Sequence, residues 1–256
     1  MPRGKLIVSD RWPSELVLVR HGESVGNIAA TEAGARGDER LDLDFRDADT
    51  PLSDTGKEQA RAVGAHLKAA GESECPDLIV SSPYRRAAET ARTAVDTWGC
   101  GHELVLDERL RERDLGAFDG LTSAGIKAQF ATESERRSRV GKFYYKPPSG
   151  ESWCDVSLRV RSLLGDLRDG YAGKRVWLFT HQAVIMGFRY VLEDLTEQEL
   201  LEIDHTMDLP NCSVTSYRRT EGGMELVQFA DTAAVEESQA PTTTEPSRSR
   251  ETNHVR

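Results

Sequence analysis

Apolar residues along this chain fall into two alternating kinds of run. LVLVR, at residues 16–20, is short, nearly continuously apolar, and stops abruptly at Arg-His-Gly. Such a run predicts a buried strand. DLIVSSP (77–83), ELVLDERL (103–110) and RVWLFTH (175–181) read the same way. The runs between them have helical spacing. PLSDTGKEQARAVGAHLKAAG puts Ala60, Val63 and Leu67 on one face, with Ser53 as N-cap and Gly71 as the stop. YRRAAETARTAVDTW predicts a second helix with Pro83 near its first turn. Residues 152–168 carry Val156, Val160, Leu163, Leu164 and Leu167 on one side, and QAVIMGFRYVLE predicts a helix directly behind the fourth strand. Two late strands are expected near 213–218 and 224–229.

Three stretches lack such a pattern. The polar, acidic segment up to Thr50 reads as a long loop, and long loops in compact domains are often functional. Residues 122–139 read as helical but polar, and therefore outside the core. From Thr232 the chain has Pro, Thr, Ser and Glu and almost no large apolar residue, which predicts a disordered tail over 231–256. Strands alternating with helices predict an α/β fold: three layers, with a mostly parallel central sheet and helices on both faces. No internal repeat or inner boundary is visible. The expectation is one domain over 1–230, with a cap insertion near 121–150 over one end of the sheet.

Composition narrows the function. A net charge of -10 argues against a surface that coats nucleic acid, though not against a local cationic pocket. Cys75, Cys100, Cys154 and Cys212 are scattered, with no C-x-x-C pair, so neither a zinc site nor any other metal site is expected. Sparse cysteine use fits a reducing cytosol. No apolar run approaches the roughly 18 residues of a membrane span, and the first residues lack a signal-peptide core. The expectation is a soluble, cytoplasmic protein that binds neither membrane nor nucleic acid.

In such a sheet, chemistry gathers just past the carboxyl ends of the strands. Four ends stand out: Arg20-His21-Gly22; Ser81-Ser82-Pro83 with Arg85 and Arg86; Glu112 after ELVLDERL; and Thr180-His181. Two histidines, several arginines and one carboxyl suit phosphoryl transfer. A neutral imidazole is a good nucleophile toward phosphorus near neutral pH. Arg20 and Arg85 are suited to hold phosphate oxygens in paired N–H bonds. His181, if protonated, adds a donor, and Glu112 is placed to protonate the leaving oxygen. Gly22 permits close backbone approach, and its carbonyl is positioned to set the tautomer of His21. His66, His102, His205 and His254 have no such context.

These residues resemble the histidine phosphatase superfamily, with its phosphoglycerate mutase-like fold. The resemblance rests on Arg20-His21-Gly22 extended by Glu23, Ser24 and Asn27, and on PLSDTGKEQA, SSPYRRAAETA, ERLRERDLGAFDG and FTHQAVI in the family's order. It spans residues 16–218. It implies a phosphohistidine at His21 and a phosphate pocket of Arg20, Arg85 and His181. It further implies help from Ser24, Asn27, Arg86 and the backbone N–H of Gln182, with Glu112 as proton donor and no metal or other cofactor. The substrate class it implies is a small phosphorylated molecule.

Phosphatase and mutase share this chemistry, and the insertion is where they part. Arg136, Arg137, Pro147 and Pro148 partly echo the arginine pair and proline run of cofactor-dependent mutases, but eleven residues and KFYYK intervene. Gln182-Ala183 follows His181 where mutases usually have Gly-Asn. YYKPPSGESWCDVSLRVRS resembles broad-specificity phosphatases, so hydrolysis is favoured over the mutase reaction and over a regulatory phosphoprotein module. Tyr144, Tyr145 and Lys146 either line the substrate mouth, the lysine meeting a second anionic group, or pack the cap onto the body. Trp153 and Cys154 are read as packing residues.

Overall fold

The computed structural model describes residues 11–71 and 75–244. Six strands form one sheet in the order β3-β2-β4-β1-β5-β6. They are β1 (Glu15–Arg20), β2 (Leu78–Ser81), β3 (Leu104–Leu106), β4 (Arg175–Thr180), β5 (Val214–Thr220) and β6 (Gly223–Asp231). β3, β2, β4 and β1 run parallel, β5 is antiparallel to β1, and β6 pairs antiparallel with β5. Central β1 and β4 are buried on both faces, which is why they read as unbroken apolar runs.

Helices cover the two faces separately. α2 (Asp54–Ala70) and α3 (Arg85–Trp98) pack on one face, where Ala60, Val63, Ala91 and Trp98 meet Val17, Val19, Trp177 and Phe179. α6 (Trp153–Gly170) and α7 (Gln182–Leu192) pack on the other, where Val156, Val160, Ile185 and Phe188 meet Leu16, Leu18 and Leu178. Each such leucine buried from water contributes roughly 2 kcal/mol. The three-layer, mostly parallel α/β fold follows. α2 and α3 lie close because α2 offers Gly64, where an added Cβ would stand 2.4 Å from the Ala94 carbonyl oxygen.

Local signals set the helix ends. Ser53 caps α2 by accepting from Gly56 N, and Gly71 ends it at φ 97°. Ser152 and Asp155 form a capping box at the start of α6.

Four expectations need correction. The stretch before Thr50 is not all loop: α1 (Val25–Arg36) occupies its first third. α1 buries only Asn27, Ala29 and Ala33, so it has almost no apolar stripe to read; its ends are set by a Ser24–Asn27 capping box and Gly37 at φ 71°. The polar segment 122–139 is two helices, α4 (Ser123–Gln129) and α5 (Ala131–Val140), broken at Phe130. α8 (Glu197–Thr206), with Leu200 as its buried anchor, lies where no element was expected.

The fourth correction concerns the tail. Residues 232–244 are ordered: α9 (Ala233–Glu237) buries Ala234 and Val235 beside Ala60 and Val63. A few small apolar residues suffice there because α2 supplies the rest of the surface. The remaining tail, residues 245–256, lies outside the described residues. Among the described residues no helix is long and apolar enough to cross a membrane.

Candidate functional site

The carboxyl ends of β1, β2 and β4 open into a cleft of about 1040 Å³. Its walls include His21, Arg86, Glu112, Tyr145 and Gln182. The former loop region, residues 40–50, forms one side, and α4, α5 and Trp153 contribute on the cap side.

His21 follows β1 and is 2% exposed. Its Nδ1–H donates to the Gly22 carbonyl at 2.8 Å, which leaves the lone pair on Nε2. This is the tautomer-setting carbonyl expected at Gly22. Glycine is needed there because an added Cβ would stand 2.6 Å from the Gly56 carbonyl oxygen of α2. The loop is pinned at successive groups. His21 O accepts from Cys212 N and Asn211 Nδ2, Gly22 N donates to Thr90 Oγ1, and Glu23 N donates to Gln59 Oε1.

His181 follows β4, its ring centroid 5.1 Å from that of His21 and 5.5 Å from that of Tyr84. Its Nε2 meets Ser82 Oγ at 2.9 Å. Arg20, the last residue of β1, is buried, with Nη1 donating to the Leu209 carbonyl.

Arg85 requires a correction. It was expected in the phosphate pocket, but its side chain is 56% exposed and pairs with Glu89 at 2.7 Å. Its neighbour Arg86 lines the cleft instead, 6% exposed, held by the carbonyl and carboxylate of Asp47. Consecutive helix residues differ by about 100° in direction. Arg86 shares its face with Thr90, whose hydroxyl holds the His21 loop, while Arg85 shares its face with Glu89. The signal was present in the sequence: Arg85, Glu89, Arg92 and Asp96 form a charged stripe, and Arg86, Thr90 and Ala94 do not.

Glu112 reaches the cleft wall, with Oε1 accepting from Arg113 N at 2.7 Å. Glu151 braces its segment by binding Arg111 Nη2, Asp114 N and Arg159. Ser24, Asn27 and Gln182 line the cleft, the first two through the cap of α1. Gln182 N sits at the start of α7, where the free N–H groups suit an anion.

The cap residues divide. Tyr145 is on the wall, its hydroxyl donating to Glu133 at 2.9 Å; burial, then this bond, pushes its pKa up to about 12. Lys146 is 58% exposed, lies 3.3 Å from Asp155 and is not on the wall. Tyr144 is exposed and donates to Glu197. The turn after α5 rotates both outward. The cations on that wall include Arg113, Arg137 and Lys142, with Arg113 and Lys142 each 5.7 Å from the Trp153 ring. Trp153 thus lines the site as well as packing, and Lys142 was not anticipated. Lys142 pairs with Asp204, which comes from the unforeseen α8.

Both histidines are held well below the ordinary histidine value of 6.5. For His21 the causes are burial, then Arg86 and Arg20; for His181, burial, then Arg86 and His21. His181 is therefore neutral at neutral pH, not a standing cation. Unfolding restores the ordinary value, so below it the unfolded chain binds more protons. Stability is therefore expected to fall as pH drops through 6.5, by up to about 1.4 kcal/mol per pH unit for each histidine. Urea unfolding between pH 7.5 and 5.5 checks this. His181→Gln should flatten the slope, and an unchanged slope would refute the burial of neutral imidazole as its source.

The fold brings the rings of His21 and His181 together next to Arg86, and family comparison gives the class of protein. Residues 16–232 match the model of the histidine phosphatase superfamily (branch 1), so the chain belongs to that family. A 2,3-bisphosphoglycerate-dependent phosphoglycerate mutase of Allorhizobium ampelinum is 31% identical over 76% of this chain and 87% of its own. The phosphoglycerate mutase-like protein AT74H of Arabidopsis thaliana is 31% identical over 59% of this chain; the match spans about half, 52%, of that relative. Among solved structures, the mycobacterial glucosyl-3-phosphoglycerate phosphatase in complex with VO3 superposes with a TM-score of 0.63. It is 28% identical and covers 84% of this chain and 98% of its own. The family's members thus include both phosphatases and mutases.

Proposed function

We propose that this chain is a phosphomonoester hydrolase acting on small phosphorylated metabolites through a phosphohistidine at His21. The observation that carries it is the His21 ring itself: neutral, with Nδ1–H bound to Gly22 O, and facing His181 beside Arg86. Nε2 attacks phosphorus while the ester P–O bond breaks, and Glu112 gives its proton to the leaving oxygen. Arg86 and Arg20 neutralise the transferring group, with Gln182 N as a further donor. The Ser82 hydroxyl accepts from Tyr84 N and lies 2.9 Å from His181 Nε2; in the tautomer in which it donates to that nitrogen, the His181 proton is on Nδ1. That buried nitrogen has no hydrogen-bond partner among the described residues, and it is the donor for a phosphoryl oxygen. Water then attacks the phosphohistidine, Glu112 takes its proton, and phosphate leaves. The charge is handled by side chains, so no metal is required. Sparse, scattered cysteines support a cytoplasmic setting.

The size of the cleft favours hydrolysis over the mutase reaction. At about 1040 Å³ it lies at the upper end of the roughly 300–1,000 Å³ in which drug-sized ligands sit. A three-carbon phosphate would leave most of it to water, whereas a mutase must exclude water from its phosphoenzyme. The mutase reading keeps one observation in its favour: Arg137 and Lys142 on the cap wall can meet a second anionic group.

Single-turnover mixing with radiolabelled 3-phosphoglycerate and a panel of other labelled monoesters separates the two. Label should pass through His21 into free phosphate across several esters. Label retained on His21 and returned to glycerate would make the chain a mutase.

A further inference from the structure

We propose that the C-terminal strap, residues 240–244, positions the nucleophile from behind, with the Thr243 hydroxyl linking the two side-chain amides that hold the His21 loop. This rests on His21 as the nucleophile. Gln59 and Asn211 are both fully buried, and both hold that loop: Gln59 through Glu23 N, Asn211 through His21 O. An amide can bind in two flipped orientations, and its neighbours decide which.

For Gln59 the strap decides, and for Asn211 the strap completes the set of partners. Gln59 Nε2 donates to Pro241 O at 2.7 Å and to Thr243 Oγ1 at 2.9 Å, which turns Oε1 toward Glu23 N. Asn211 Nδ2 donates to His21 O and Asn27 Oδ1, which leaves its Oδ1 to accept from Thr243 Oγ1 at 3.1 Å. Asn211 N completes the frame by donating to Thr243 O at 2.9 Å. One hydroxyl therefore accepts from the first amide and donates to the second. The strap itself is anchored by α9, through buried Ala234 and Val235 and the His66–Glu237 contact at 2.8 Å. Thr243 is thus a positioning residue: it touches neither substrate nor the reacting ring, and acts through Gln59 and Asn211.

The test compares four full-length or shortened forms of the protein. Thr243→Val and truncation after Ala240 should lower kcat about tenfold, with KM within about twofold, because a displaced nucleophile loses alignment rather than binding. Thr243→Ser, which keeps the hydroxyl, and truncation after Thr244 should behave as wild type. Nitrogen NMR of the histidine rings, assigned against His21→Ala, should show the single Nδ1–H form of His21 becoming a mixture in Thr243→Val and remaining single in Thr243→Ser. Unchanged kcat and ring signals in Thr243→Val would overturn the proposal. So would equal losses in the valine and serine variants, which would mean a packing role. The ring signals do not depend on turnover, so a wild type without hydrolase activity would defeat the functional reading while leaving the strap to be judged on its own.

Discussion

Replacement of His21 by alanine is expected to abolish hydrolysis of an aryl phosphate, with a loss of about 10⁴-fold or more. No other histidine ring shares its position. His181 stands 5.1 Å away, but its Nε2 is engaged by Ser82 Oγ and its Nδ1 is buried. The proposed mechanism draws its positive charge at the phosphate from guanidinium groups, so wild-type activity should also survive a chelator. Unfolding midpoints of mutant and wild type at pH 7.5 should lie close enough for both to be folded at the assay temperature. Activity persisting in the folded mutant would remove the phosphohistidine step and leave the chain a binding module or an enzyme of another mechanism.

Arg86→Ala should lower kcat/KM by about 10²–10³-fold, while Arg85→Ala should stay within about threefold of wild type. Arg86 lies on the cleft wall and Arg85 pairs with Glu89 in solvent. Arg86→Lys should recover only part of the loss, since a point charge lacks the planar fork that grips two phosphate oxygens. A second readout is independent of binding. Arg86 is, after burial, the largest influence lowering His21. Removing it lets the His21 pKa rise, so the acid limb of the kcat/KM profile should move to higher pH. A larger loss in Arg85→Ala than in Arg86→Ala would reverse this assignment and restore the arginine first read from the sequence.

The contrast between those two arginines shows where sequence reading succeeds and fails. The places of His21 and His181 were legible because each directly follows a short apolar strand, a local pattern; the third strand, expected over 103–110, is only Leu104–Leu106, and a 3-10 turn at Glu108–Leu110 separates it from Glu112. Arg85 was misread because the choice between neighbours depends on how α3 is rotated against α2 and the His21 loop. The stripe through Arg86, Thr90 and Ala94 carried that information, although its meaning came from Thr90 meeting Gly22. Lys146 failed for a related reason: a turn aims side chains by its φ and ψ angles, which residue type constrains weakly. Tyr145, one position earlier, does reach the wall.

α1 and residues 232–244 were invisible for a different reason. Neither has an apolar stripe, because each borrows its burial from a larger neighbour. α1 is set by caps at its two ends, and α9 by the surface of α2.

The sequence by itself determined the alternation of strands and helices, the order of the motifs and the residue types that can attack, neutralise and protonate a phosphate ester. Hydrophobic periodicity and strand-end chemistry are local, so they survive in one dimension. Only the tertiary structure decided which arginine faces the cleft, that Trp153 and Lys142 join its wall, and that residues 241–243 reach back to the amides holding the His21 loop. Those outcomes turn on contacts between distant segments, such as Gln59 with Thr243, whose geometry exists only once the sheet and its helices have packed.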